Sequence, residues 1–147
     1  MTKGEIVTNK GTMAIEFYDE DAPNTVKNFV NLAKSGYYDG LTFHRVIPNF
    51  VIQGGDPTGT GAGGPGYKIN CELDGKLQFH DRGVLSMAHA GRNTGGSQFF
   101  ICHSRTNTAH LDRNHTCFGK VVEGQEVIDE IRQGDKMVKV TIFEDQA

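Results

Sequence analysis

Hydrophobic and polar residues alternate with period two near the start of the chain. Met13, Ile15 and Phe17 fall on one face, and Ala14, Glu16 and Tyr18 on the other. With residues 5–8 ahead of them and Asn9-Lys10-Gly11 between, the pattern predicts a β-hairpin. The period then becomes helical. Val26, Phe29, Val30 and Ala33 recur at i, i+3, i+4 and i+7, Pro23 suits the first turn, and Gly36 stops the pattern. Short apolar runs bounded by glycines follow, at 43–47, 50–53, 84–88, 98–102 and 117–122, and each reads as a strand. A second short helix is expected over 126–133, with Val127, Ile128 and Ile131 on one face and Gly134 past its end. Val138, Val140 and Ile142 predict a last strand with one apolar face. No helices separate the central strands, which excludes a parallel α/β sheet. The expected fold is mainly β: an antiparallel, closed or nearly closed barrel with two capping helices.

Composition narrows the function classes. A length of 147 residues predicts one domain over residues 1–147, large enough to bury roughly 70% of its unfolded surface. With 37% hydrophobic and 22% charged residues the chain is neither disordered nor a membrane protein, and no apolar run approaches the ~20 residues that span a bilayer. Fifteen basic against 18 acidic residues leave a net charge of −3 and no basic stripe for nucleic acid. Met1-Thr2-Lys3-Gly4-Glu5 lacks the apolar stretch of a secretory signal, so a cytoplasmic location is expected. Three cysteines, Cys71, Cys102 and Cys117, have no paired spacing and read as reduced, packed thiols. Glycine is abundant, at 19 residues, which implies tight turns or closely approached backbone. No repeat, linker or low-complexity tract interrupts the chain.

Three familiar motifs fail. Gly59-Thr60-Gly61-Ala62-Gly63-Gly64 fits G-x-G-x-x-G, but Pro65-Gly66 follows in place of the helix a nucleotide phosphate needs, so it reads as a surface loop. Gly95-Gly96-Ser97-Gln98-Phe99 lacks the last glycine of a nucleophile elbow. Cys102, His103, His110, His115 and Cys117 are all ligand types, yet only His110 and His115 have zinc-like spacing. No metal and no cofactor is therefore expected. Arg45 is different. Alternation over 43–47 places it with Phe43 and Ile47 on an inward side, close in sequence to Phe50, Val51 and Gln53. Such an arginine must be paired, as a salt-bridged rim residue would be, or must await a ligand.

Four blocks decide between these. They are the stretch from Phe43 through Arg45 and Gln53 to Asp56, Gly83-Val84-Leu85-Ser86-Met87-Ala88-His89-Ala90, Gly95-Gly96-Ser97-Gln98-Phe99-Phe100-Ile101, and the stretch from His110-Leu111 through His115 to Val121. Together they resemble the cyclophilins, a family of peptidyl-prolyl cis-trans isomerases, over residues 11–142, and most closely the short cytosolic bacterial members. The resemblance implies an eight-stranded antiparallel closed β-barrel capped by two α-helices. It implies a catalytic set of Arg45, Phe50, Gln53, Phe100, Leu111 and His115, with Val51, Ala88, His89, Ala90, Gln98 and His110 along the peptide. The implied partners are proline-containing peptides and folding proteins, bound by a monomer that assists protein folding. Val51 stands where methionine is usual, His89 where asparagine is usual, and His110 where many eukaryotic members have tryptophan. The last difference implies reduced cyclosporin affinity. A non-catalytic module that holds proline segments in the same groove is the competing expectation.

Overall fold

The computed structural model describes residues 2–143. The predicted hairpin forms β1 (Lys3–Thr8) and β2 (Gly11–Phe17), antiparallel from Lys3↔Glu16 to Thr8↔Gly11. Then come α1 (Pro23–Lys34), β3 (Arg45–Ile47), β4 (Val51–Gly54), β5 (Val84–Met87) and β6 (Phe99–Cys102). A four-residue helix, α2 (Arg105–Thr108), runs into a single 3-10 turn at Ala109–Leu111, and β7 (Cys117–Glu123), α3 (Gln125–Glu130) and β8 (Met137–Phe143) complete the chain. The sheet is antiparallel throughout, in the order β3-β4-β6-β5-β7-β2-β1-β8.

Ring contacts and close approaches along β2 place the helices. The strand starts under α3, where a Cβ on Gly11 would lie 2.8 Å from Val127, and ends under α1, where Phe17 and Phe29 have centroids 5.4 Å apart. Six residue steps of extended chain span ~20 Å, so the helices cap opposite ends. Pro23 occupies the first turn of α1 as expected, but the side-chain cap comes from afar. Glu72 accepts from Thr25 N–H at 2.7 Å, Thr25 hydroxyl at 2.8 Å and Asn24 N–H at 3.3 Å, filling the orphan donors of the helix start. At the other end Gly36 has φ +81°, Gly36 N–H donates to Ala33 O and Tyr37 N–H donates to Leu32 O, the paired bonds of a Schellman stop.

Between the caps the barrel interior is filled with side chains. Phe17, Phe29, Tyr38, Phe99 and Phe118 form an aromatic cluster with Ile6, Met13, Ile52, Leu85, Ile101 and Val140 around it. A ligand therefore has no room inside, and a site must lie on the outer surface. A second apolar cluster does lie there: Val51, Val84, Phe100, Cys102 and Cys117, with Tyr18, Phe50, Ala88 and Leu111 packed on it.

The structure corrects five expectations. The sheet is curled, but among the described residues its end strands β3 and β8 share no ladder, so the barrel is not fully closed. The seam is bridged by irregular chain: Phe43 N–H donates to Asp135 O, Gly134 N–H to Phe43 O and Met137 N–H to Leu41 O, beside one isolated bridge, Thr42↔Lys136. Because Phe43 belongs to this seam, regular alternation starts only at Arg45. Phe43 is buried in the core while Arg45 is exposed on the outer face, not inward. Val138 is 53% exposed, because the register shifts between Val7 and Thr8 and turns it out of the ladder. The second expected helix is shorter, Gln125–Glu130. Finally, α2 joins the two capping helices as a third; four residues are too few to show a period.

Candidate active site

Sheet register carries Arg45 to its neighbours. Arg45 pairs with Gln53 across β3 and β4, Gln53 with Phe100 across β4 and β6, and Phe100 with Ser86 across β6 and β5. Directly opposed residues share a face, so Arg45, Gln53 and Phe100 form one row on the outer surface. Val51 stands two residues further along β4, on the same face, opposite Cys102. Arg45 Nη1 donates to Gln53 Oε1 at 3.5 Å, and among the described residues its guanidinium makes no other hydrogen bond. An exposed arginine needs no salt bridge, so the rim-pair account of Arg45 does not apply. Its remaining N–H groups face solvent and are available to a ligand.

Beside the row lies an apolar depression. Phe100 and Val51, 4% and 2% exposed, make its floor. Phe50 enters from the turn between β3 and β4, held by its N–H to Ile47 O and by its carbonyl, which accepts from His103 N–H. Leu111 comes from the 3-10 turn after α2. From the same turn His110 stacks on Phe50, centroids 5.9 Å apart. His115 precedes β7 and stands edge-on to Phe100 at 5.5 Å. Its Nδ1 lies 2.9 Å from Met87 O, and a carbonyl only accepts, so Nδ1 carries the proton. Burial lowers the His115 pKa, the bond to Met87 opposes this, and the nearby His89 and His110 lower it again. A neutral ring results.

Ala88, His89, Ala90 and Gln98 line a neighbouring cleft of about 740 Å³ with Gln53, Thr94 and the glycine-rich segment 61–66. His89 leaves the cleft wall to stack on His115 at 4.1 Å and 11°, its Nε2–H donating to Asn114 O at 2.7 Å. Every residue expected along the peptide thus lies either in the depression or in this cleft, and Gln53 and Gln98 join the two.

Behind the depression sits a group the sequence reading did not single out. His80, wholly buried, lies parallel to Phe100 at 5.8 Å and bonds Asp112 through Nδ1 at 3.0 Å and Ser86 Oγ through Nε2 at 2.7 Å. Asp112 is also held by Arg105 at 2.7 and 2.9 Å. Burial works against ionisation of Asp112, but Arg105 and His80 bring its pKa down to about 2. Because Asp112 follows Leu111, the network fixes the 3-10 turn against the sheet. The only signal in the sequence was that adjacency.

The histidines and cysteines of the ligand-type cluster diverge. His110 faces Phe50, His115 faces His89, and Cys102 and Cys117 are buried within strands. Burial pushes the Cys102 thiol up to about 12 and that of Cys117 higher still. Among the described residues no three metal-ligating side chains converge.

Comparison with known proteins places the chain in a family. The profile described as "Cyclophilin type peptidyl-prolyl cis-trans isomerase/CLD" matches residues 4–145. A peptidyl-prolyl cis-trans isomerase of Synechococcus elongatus is 56% identical over the full length of both chains. Peptidyl-prolyl cis-trans isomerase B of Bacillus subtilis is 58% identical, over 86% of this chain and 87% of its own. The crystal structure of a cyclophilin type isomerase from Cryptosporidium parvum superimposes with a TM-score of 0.90 at 34% identity, covering 99% of each chain. The same protein in the presence of the dipeptide Ala-Pro gives 0.88 at 35% identity, covering 97% of this chain and 99% of its own.

Proposed function

The chain belongs to the cyclophilin-type peptidyl-prolyl cis-trans isomerases, and on that premise we propose that Arg45 catalyses rotation about an Xaa-Pro bond held against Phe50, Val51, Phe100, Leu111 and His115. One observation carries the assignment: an exposed guanidinium, tethered to Gln53, stands in one row with Gln53 and Phe100 at the edge of an apolar depression. The reaction forms and breaks no covalent bond. Resonance holds the imide planar with a barrier of ~18–20 kcal/mol, and unaided exchange takes tens to hundreds of seconds. As the bond twists, the proline nitrogen becomes pyramidal and its lone pair localises. It can then accept a hydrogen bond that the planar imide nitrogen cannot.

A guanidinium N–H of Arg45 aimed at that nitrogen binds the twisted state in preference to either ground state, which is the condition for catalysis. A charge-assisted bond worth ~1.5–3 kcal/mol supplies one to two decades of rate, at ~1.4 kcal/mol per decade. Further stabilisation comes from excluding water as the ring seats on Phe100. The depression holds the proline ring while the preceding residue swings. Ala88, His89, Ala90, Gln98 and His110 contact the chain on either side.

The physiological reading is an isomerase that assists folding of proline-containing chains, acting as a single-domain monomer in the cytoplasm. Its free thiols, two of them buried, suit a reducing compartment. His110 offers less apolar surface than tryptophan, which supports weak cyclosporin binding. A protease-coupled assay over a set of Xaa-Pro peptides tests the reading. Acceleration of cis-to-trans exchange by the purified protein is expected; peptide binding without acceleration would make it a holding module.

A further inference from the structure

The glycine-rich loop after β4 is linked to the row of Arg45, Gln53 and Phe100 by hydrogen bonds whose directions are forced. Asp56, 1% exposed, stands at the start of the loop. Its Oδ1 accepts from Thr58 N–H and the Thr58 hydroxyl, both at 2.8 Å. Its Oδ2 accepts from Thr60 N–H at 3.1 Å and Gly61 N–H at 2.5 Å. The loop wraps so tightly that a Cβ on Gly63 would fall 2.1 Å from Asp56 Oδ1, so position 63 has no room for a side chain.

Wrapped in this way, the loop turns two carbonyls outward. Gln98 Nε2 donates to Gly61 O at 2.9 Å and to Gly63 O at 3.0 Å. A carbonyl can only accept, so these bonds use both amide hydrogens of Gln98 and leave its Oε1 for Gln53. Gln53 must then offer Nε2 to that oxygen, at 3.2 Å, which leaves its own Oε1 for Arg45 Nη1. Reversing either amide would set donor against donor or acceptor against acceptor. The backbone of the loop therefore decides which atom Arg45 meets.

We propose that Asp56 is a positioning residue for the isomerisation: it holds the two loop carbonyls that, through Gln98 and Gln53, set the acceptor against which the Arg45 guanidinium is aimed. This rests on the reading of Arg45 as the catalytic group. It gives the segment 59–64 a role that has nothing to do with phosphate. The glycines let backbone close around a carboxylate on one side and present carbonyls on the other. Burial works against the Asp56 charge, but the bonds from Thr58 and Gly61 oppose it and the pKa is brought down to about 2, so the arrangement persists through the neutral range.

A double-mutant cycle tests the link. Asp56→Asn keeps the shape but gives one oxygen's place to an NH2 group that cannot accept from the loop amides. We expect kcat/KM for an Ala-Pro peptide to fall at least ~5-fold, with KM changed less than ~2-fold. In an Arg45→Ala background the same substitution should change kcat/KM by less than ~1.5-fold, because nothing is left to aim. The side-chain NH2 signals of Gln53 and Gln98 in 15N spectra should move on Asp56→Asn, a response that a distant structural defect does not produce. Gly63→Ala alters no polar group and should reproduce the loss without adding to it; if Asp56→Asn does not fold, Gly63→Ala replaces it in the cycle. An equal loss in both backgrounds, or no loss beside an intact Arg45, would overturn the proposal. Full turnover in Arg45→Ala alone would overturn the reading of Arg45 itself, whatever Asp56 does.

Discussion

His115 shows how a single side chain sets the acid limit of the site. Its Nδ1–H is spent on Met87 O and its ring lies between Phe100 and His89, so protonation would place a charge on a half-buried ring beside a second imidazole. Burial lowers its pKa, and His89 and His110 lower it further, so the acid limb of kcat/KM should fall below the ordinary histidine value of ~6.5. Asparagine in place of His89 removes one like-charge neighbour. The sign follows: the pKa of His115 rises on His89→Asn, and the acid limb moves to higher pH. Following the His115 ring by NMR titration alongside kcat/KM checks this, and an unmoved limb would show that the stacked pair is not electrostatically coupled. At this scale the sequence was informative about residue types and less so about orientation. Arg45, Gln53 and Phe100 are recognisable in the sequence, yet alternation counted from Phe43 turns Arg45 inward, because Phe43 belongs to the seam and not to β3. The mutual stacking of His89 and His115 joins positions that only the folded chain brings together.

Elements were legible where a period runs long enough. The seven residues of β2 and the twelve of α1 carry clear patterns, whereas α2 is too short, and the shifts that expose Val122 and Val138 interrupt alternation without leaving a sequence mark. The cap of α1 was illegible for another reason: Ala22 offers no side-chain oxygen, and its substitute, Glu72, arrives from a distant loop. Removing that carboxylate should be costly, because Thr25 is wholly buried and would lose the partner of both its N–H and its hydroxyl. Glu72→Ala is expected to destabilise by ~1–3 kcal/mol, the range for an unsatisfied buried group or a lost charged hydrogen bond. Urea unfolding measures it. A change under ~0.5 kcal/mol, the usual limit for a neutral surface site, would mean that water caps the helix equally well.

On the scale of the whole molecule, a filled barrel interior leaves the outer face of β3, β4 and β6 as the working surface. The fold class was readable from many short strands with a helix near each end; the open seam was not, because its hydrogen bonds belong to irregular chain. Buried histidines also make stability depend on pH. Burial lowers the pKa of His80, His103 and His115, with Asp112 opposing it at His80 and Asp129 at His103. The unfolded chain then takes up protons first as pH falls below ~6.5, so stability is full above that value and declines beneath it. Asp56 and Asp112, both lowered to about 2, add a second loss as pH falls from ~4 toward that value. Thermal unfolding from pH 8 to 5 should therefore show a falling Tm, and a flat profile would contradict the buried neutral rings. The central claim is that one aimed guanidinium supplies the catalysis. Arg45→Lys keeps the charge but replaces a rigid planar fork with a flexible, strongly hydrated ammonium, and Arg45→Ala removes both. The decisive measurement is kcat/KM for both variants beside the Kd of a proline peptide. Losses of at least ~10-fold in each, with Kd nearly unchanged, are predicted; near-native turnover in folded Arg45→Ala would contradict the account.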